Sequence, residues 1–214
     1  MKLPHRAILF DSDGVLVDSD ASVHSAWSRW AIFYGLDPDE VADMVHGRRS
    51  ADTVALLVPA EQQQEALSTV DRYEVEDALQ VTAMPGSREL VTGLPAGSWA
   101  VVTSAVTALA LARLRAAGLP RPEVLVTADD VTAGKPSPEG YRAAAARLGV
   151  DPADCIVCED SPAGIRAGLD AGATVVGIGE RARGNGAAVV VQDLRGLRLV
   201  GGDLVVQEEY RLPG

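Results

Sequence analysis

Cysteine is nearly absent from this chain of 214 residues, which has only Cys155 and Cys158, and histidine is limited to His5, His24 and His46. So few thiols exclude a disulfide-stapled scaffold, and a chain this long buries an ample core without one. The C-x-x-C spacing superficially suggests metal or redox work. It falls in Cys155-Ile156-Val157-Cys158, which reads as a strand, and the odd separation points the two side chains to opposite faces. Reduced thiols in or near the core are expected. The histidines are too scattered to form a metal cluster visible in sequence.

Basic residues are also scarce, with 19 Lys and Arg against 30 Asp and Glu and a formal net charge of −11. That charge repels nucleic-acid phosphates and anionic lipid, and no basic run offsets it, so neither is an expected partner. Long apolar runs are missing too. The one behind the N-terminal positive residues stops at Asp11, too soon for a secretory signal, and no later stretch reaches membrane-spanning length. A cytoplasmic protein is expected. Aromatics make up only 4% of the chain, but with 47% hydrophobic and 23% charged residues the composition is that of an ordinary globule, one domain or a domain with an inserted module.

What the chain does contain is a series of short apolar runs that end in reactive side chains. Residues 7–10 form an unbroken apolar run of strand length, followed by Asp11-Ser12-Asp13 and the turn residue Gly14. In open α/β sheets, ligands gather at the carboxyl ends of strands. Two carboxylates there need a cation to stay charged; one suits a nucleophile on a metal ion and the other a proton shuttle. Taken alone, such a pair more often caps a turn or faces water.

The next strand pattern is residues 99–103. Before it, residues 21–34 carry Val23, Trp27, Trp30 and Tyr34 at helical spacing, and residues 60–79 are acidic and Gln-rich without a strand pattern. These features predict a helical insertion with hinges near residues 18–20 and at Met84-Pro85-Gly86. Thereafter strands at 99–103, 123–127, 155–158, 174–178 and 187–191 alternate with helices at 107–117, 138–148 and 164–171, the rhythm of a parallel sheet with crossover helices. Residues 197–208 suit a further strand or a hairpin around Gly201-Gly202-Asp203. The expected fold is α/β: a Rossmann-like parallel-sheet core from residues 1–17 and 83–214, with an inserted α-helical cap of residues 18–82.

Three more strand ends carry suitable chemistry. Thr103 and Ser104 place two hydroxyls after one strand, suited to phosphoryl oxygens, or to capping the helix that follows. Gly134-Lys135-Pro136-Ser137-Pro138 holds a lysine in a proline-stiffened loop, as positioning a cation against carboxylate or phosphate requires. Glu159 and Asp160 follow a third run, where hard oxygen ligands suit magnesium.

Together, Asp11-Ser12-Asp13-Gly14-Val15-Leu16-Val17-Asp18-Ser19, Thr103-Ser104, Gly134-Lys135-Pro136-Ser137-Pro138 and Glu159-Asp160-Ser161-Pro162-Ala163-Gly164-Ile165 resemble the four motifs of the haloacid dehalogenase superfamily, across essentially the whole chain. The insertion is similar to the small cap of its β-phosphoglucomutase-like branch, and Trp27-Ser28-Arg29-Trp30, Val45-His46-Gly47-Arg48 and Gly118-Leu119-Pro120 resemble bacterial sugar or hexitol phosphatases. Ser12 departs from the apolar residue usual between the two aspartates.

The resemblance implies a magnesium-dependent phosphomonoester hydrolase acting on a small sugar or polyol phosphate, as a monomer or weak homodimer. Asp11 would be the nucleophile that forms an aspartyl phosphate, and Asp13 the acid and then the base. Asp11, the main-chain carbonyl of Asp13 and Asp160 would hold Mg2+, with Glu159 ligating directly or through a neighbour. Lys135 would neutralise charge, and Thr103 and Ser104 would hold phosphoryl oxygens. In the cap, His46, Gly47, Arg48 and Arg49 are the candidates for selectivity, because glycine permits close approach while the others offer donors to hydroxyls.

Three rival functions are weighed. For a β-phosphoglucomutase, the usual hinge histidine falls at Val23 and the cap arginine at Ser50. A haloacid dehalogenase needs neither Asp13 nor the Glu159-Asp160 pair. A non-catalytic metabolite-binding protein would normally have lost a catalytic group.

Overall fold

The chain is described over residues 1–213 in a computed structural model. Its strands are β1 (Lys2–Leu3), β2 (Ala7–Phe10), β3 (Val17–Asp18), β4 (Thr82–Ala83), β5 (Trp99–Val102), β6 (Val124–Val126), β7 (Cys155–Glu159), β8 (Thr174–Ile178), β9 (Val189–Val191), β10 (Leu197–Val200) and β11 (Asp203–Val206). Its α-helices are α1 (Asp20–Phe33), α2 (Pro38–Val45), α3 (Ser50–Leu57), α4 (Gln63–Asp77), α5 (Ser87–Gly93), α6 (Thr107–Ala116), α7 (Glu139–Leu148) and α8 (Pro162–Ala171). No described helix is long and apolar enough to cross a membrane.

Six strands pair in parallel in the order β6-β5-β2-β7-β8-β9. The apolar runs are continuous rather than alternating because helices cover both faces of the sheet. In β2, Ile8 and Phe10 enter one apolar cluster and Ala7 and Leu9 the other, all fully buried. Each of the three large side chains contributes about 1.5–3 kcal/mol by leaving water. Cys158 lies in the first cluster and Cys155 in the second, so the two thiols are free, buried and on opposite faces. Burial pushes the Cys155 thiol up to about 11 and Cys158 higher still.

The direction of strand addition reverses beside β2, with β5 on one side and β7 on the other. Such a switch point opens a crevice at the carboxyl ends. The register aligns Phe10 with both Val101 and Cys158, which brings the ends of β2, β5 and β7 to one level.

Helices α1 to α4 bury a cluster of their own around Trp27, Trp30, Val41, Val54, Ala66 and Val70. Trp30 Nε1 donates to the Ala66 carbonyl at 2.8 Å, tying α1 to α4. Both connections between this bundle and the sheet pass through a short antiparallel ribbon, in which Val17 pairs with Ala83 and Asp18 with Thr82.

Two stretches fill in what the sequence pattern left open. The long 60–79 segment is α4 flanked by 3-10 turns, and α2, α3 and α5 were not legible in the sequence pattern. The tail is a hairpin, β10 against β11, turned by Gly201 and Gly202 at φ 62° and 92°, as a tight two-residue hairpin turn requires. It joins β1 in a separate three-stranded antiparallel sheet.

Candidate active site

Asp11 leaves β2 buried, with its amide donating to the Cys158 carbonyl at 3.0 Å, so its backbone is still anchored on β7. The chain then turns at Gly14, φ 79°, where an added Cβ would overlap the Asp160 carboxylate. Only glycine lets the first loop approach Asp160 so closely.

Lys135 is buried between two acids. Its Nζ donates to Asp11 Oδ1 at 2.7 Å, to Glu159 Oε1 at 2.6 Å and to the Val102 carbonyl at 3.3 Å. Burial disfavours its charge, but the Asp11 and Glu159 carboxylates outweigh that and hold the ammonium above its ordinary range. Glu159 is saturated: Oε1 also accepts from the Tyr141 hydroxyl at 3.1 Å, and Oε2 accepts from the Ser161 amide and hydroxyl at 2.9 and 3.1 Å. Its contacts make it the anchor of Lys135 and of the first turn of α8.

One oxygen each from Asp11, Glu159 and Asp160 lies within 4.8 Å of the others. Burial, then the neighbouring Glu159, pushes Asp160 up to about 7, and burial also raises Asp11 well above the carboxylate range, with Lys135 opposing. Arg181, on the turn after β8, donates to Asp160 Oδ2 at 2.7 Å and reaches Asp20 at 3.2 Å. Three buried carboxylates exceed the charge of one buried lysine, and hard oxygens are the donors a magnesium ion takes. The residues present therefore fit such a cation.

Asp13 sits at the mouth. Its Oδ1 accepts from Ser19 Oγ at 2.6 Å and lies 3.1 Å from Arg113 Nη1. Thr103 Oγ1 accepts from the Ala105 amide at 3.1 Å, which leaves its hydrogen to donate elsewhere. Ser104 Oγ donates to the Gly47 carbonyl at 3.0 Å, a core-to-cap contact.

Asp11, Asp13, Thr103, Ser104 and Asp160 line one cleft. Its cap wall includes Trp27, His46, Gly47, Arg48 and Glu74. Gly47, φ 74°, is pressed so close to Ser161 that a side chain there would collide with it. His46 lies 3.4 Å from Arg181, and partial desolvation, then the Arg181 charge, lowers its imidazole from the ordinary value. Arg48 is exposed and lines the cleft.

Arg49 does not line that cleft. It pairs with both oxygens of Asp52 at 2.8 and 2.7 Å and donates to the Val131 and Thr132 carbonyls at 3.3 and 3.1 Å, clipping the cap loop to the core. Of the four cap residues singled out in the sequence, His46, Gly47 and Arg48 line the cleft.

Sequence reasoning missed Arg113, Glu74, Arg181 and Tyr141. Arg181 stands just past the end of the expected strand 174–178, so the strand-end reasoning applied elsewhere reaches it. Arg113 interrupts the buried stripe Leu109, Ala110, Leu114, and Glu74 follows Ala66 and Val70 on another. A charge on an apolar stripe was the available signal.

A family model for haloacid dehalogenase-like hydrolases matches residues 5–172. The chain is 37% identical over 216 residues to hexitol phosphatase A of Escherichia coli K12, covering 94% of this chain and 99% of that protein. It is 31% identical over 192 residues to 2-deoxyglucose-6-phosphate phosphatase 1 of Saccharomyces cerevisiae, covering 79% and 78%. The crystal structure of a β-phosphoglucomutase from Clostridium difficile has the same fold, with a TM-score of 0.81 at 23% identity over 91% of this chain and 94% of that one. With residues 5–172 matched by that family model and 94% of its length aligned to a relative at 37% identity, the chain belongs to the haloacid dehalogenase-like hydrolase family.

Proposed function

We propose that this protein hydrolyses small sugar or sugar-alcohol phosphate monoesters through an aspartyl phosphate on Asp11, with residues 18–82 acting as a cap over residues 1–17 and 83–214. The observation that carries this reading is the pairing of Asp11, held by Lys135 through Oδ1 alone, with Asp13 at the mouth of the same cleft. No hydrogen bond reaches Asp11 Oδ2 among the described residues, which leaves an oxygen for attack.

The Asp11 carboxylate attacks phosphorus while the ester P–O bond breaks, and Asp13 gives its proton to the departing alcohol oxygen. Asp13, now a carboxylate, takes a proton from the water that attacks the phosphoryl group, releasing inorganic phosphate and regenerating Asp11. Thr103 donates to a phosphoryl oxygen, and Lys135 offsets negative charge at Asp11. Ser104, engaged with Gly47, keeps the cap loop over the site.

Asp11, Asp160 and the main-chain carbonyl of Asp13 would hold magnesium, and Glu159 stands behind Lys135. When bound, magnesium offsets the repulsion between the carboxylates and the phosphoryl oxygens.

The substrate class rests on the names of the two phosphatase relatives and on a cap wall rich in donors and acceptors. Val23 and Ser50, where the mutase resemblance expects a histidine and an arginine, favour hydrolysis over transfer. Purified protein screened for phosphate release over a broad phosphomonoester panel should hydrolyse sugar and hexitol phosphates with magnesium and fail with chelator. Asp11→Asn should fold and show no turnover. Release from no compound, or steady-state turnover by Asp11→Asn, rejects the reading.

A further inference from the structure

Arg113 is the least expected charge in the molecule. It belongs to α6 in the core, its side chain is 3% exposed, and it occupies a stripe otherwise filled by Leu109, Ala110 and Leu114. Its two terminal nitrogens reach two different carboxylates: Nη1 lies 3.1 Å from Asp13 Oδ1, and Nη2 lies 3.2 Å from Glu74 Oε1. Glu74 comes from α4 of the helical bundle and is itself buried at 6%. Its second oxygen accepts from Ser50 Oγ at 3.0 Å. A single guanidinium thus joins the loop after β2 to the bundle above it.

Packing alone does not account for an arginine here. Burying a guanidinium is costly unless every donor is satisfied, yet Arg113 Nε has no partner. A leucine would fill the stripe without that cost. What a leucine lacks is the planar fork that spans two carboxylates at fixed separation.

The geometry also assigns the oxygens of Asp13. Oδ1 takes both Ser19 Oγ and Arg113 Nη1, and no hydrogen bond reaches Oδ2 among the described residues. Oδ2, the oxygen without donors, is the one free to face a bound ester.

We propose that Arg113 is a positioning residue that fixes Asp13 with Oδ2 turned to the leaving group, and that Glu74 of the cap completes this arrangement only when the cap lies on the core. The proposal rests on the phosphatase reading above. With Glu74 withdrawn, nothing holds the second nitrogen, the guanidinium is free to rotate, and Asp13 loses its orientation. Proton donation is then assembled by the same movement that covers the substrate.

The test is the dependence on leaving group. Alkyl monoesters such as glucose 6-phosphate or a hexitol phosphate need a proton on the departing oxygen, whereas p-nitrophenolate leaves without one. Arg113→Met should lower kcat on the alkyl ester roughly 100-fold, the lower end of what general acid catalysis supplies, and on p-nitrophenyl phosphate by less than about 5-fold. Glu74→Gln and Arg113→Lys should show the same selectivity with losses of about 10-fold on the alkyl ester. Asp13→Asn sets the limit that no Arg113 variant should exceed.

The double variant Arg113→Met with Glu74→Gln removes both buried charges. It should regain melting temperature relative to Arg113→Met without regaining the alkyl-ester rate. If Arg113→Met does not fold, the double variant and Arg113→Lys carry the same comparison. Equal fractional losses on both ester types, or full recovery of the alkyl rate in the double variant, overturn the proposal alone. Wild-type protein that releases phosphate from neither compound overturns the phosphatase reading and this proposal with it.

Discussion

Replacing Lys135 by methionine keeps most of the side-chain volume and removes the charge between Asp11 and Glu159. In the wild type the ammonium donates to both carboxylates at 2.7 and 2.6 Å and sits 5.3 Å above the centre of the Tyr141 ring. Breaking a buried ion pair from one side costs about 3–5 kcal/mol, because the remaining charge is left uncompensated. The lower figure applies here, since the Asp11 carboxyl, already held high by burial, can take up a proton instead. For a chain of this size about 3 kcal/mol lowers the melting temperature by roughly 6–12 °C. The penalty has a sign in pH. Without the lysine the folded-state carboxyls rise further above their unfolded values, so the loss is smallest at low pH and grows as pH rises. Thermal melts of wild type and Lys135→Met between about pH 5 and pH 8 should therefore diverge with increasing pH, and phosphate release by the variant should be lost throughout. A melting temperature within a degree of wild type, with no dependence of the difference on pH, would refute the buried-cation assignment.

Asp160 supplies a second test. Its folded-state value of about 7 lies above the ordinary 3.8, from burial and then from Glu159, so its contribution to stability is present below the ordinary value and is lost as pH rises through about 7. Metal-free protein should gain melting temperature when pH falls from about 8 to 5.5, and magnesium should raise it most at the upper end; a magnesium shift that grows as pH falls contradicts the assignment. Gly164→Ala places a methyl group on the Glu159 carboxylate and should displace it from Lys135, costing about 1–3 kcal/mol and most of the activity. Unchanged melting and turnover would show that Glu159 is not packed as described.

The legible part of the site lay at strand ends. Asp11 and Thr103 follow apolar runs directly and Asp160 follows one after Glu159, so a rule about sheets located them, while Lys135 was marked by the prolines that stiffen its loop, Pro136 and Pro138. Arg181 obeys the same rule after β8 and was recoverable. Arg113 and Glu74 carried a fainter signal, one charge on an apolar helical stripe, which is ordinarily read as amphipathic, and the two lie 39 residues apart on different elements. The reading of Glu159 as a ligand depended on residue type, whereas its role depends on the four donors that occupy it. The strand β1 was invisible for a simpler reason: two residues carry no period.

The acids of the cleft divide into two groups, each built around one buried cation. Asp11 and Glu159 hold Lys135, Asp160 lies beside them, and the three acids outnumber the lysine, with Arg181 shared between Asp160 and Asp20. Asp13 and Glu74 share Arg113, and that group too carries one more negative charge than positive. Leaving such surpluses in a buried cleft is unfavourable unless something offsets them. On the proposed reading the first surplus is met by magnesium, whose ligands all come from the core. The second is created by the cap itself, since it arises only when Glu74 arrives beside Arg113. Arg113 ties Asp13 of the core to Glu74 of the bundle, so on the proposed reading the arrangement that aims Asp13 is complete only when the bundle lies on the core.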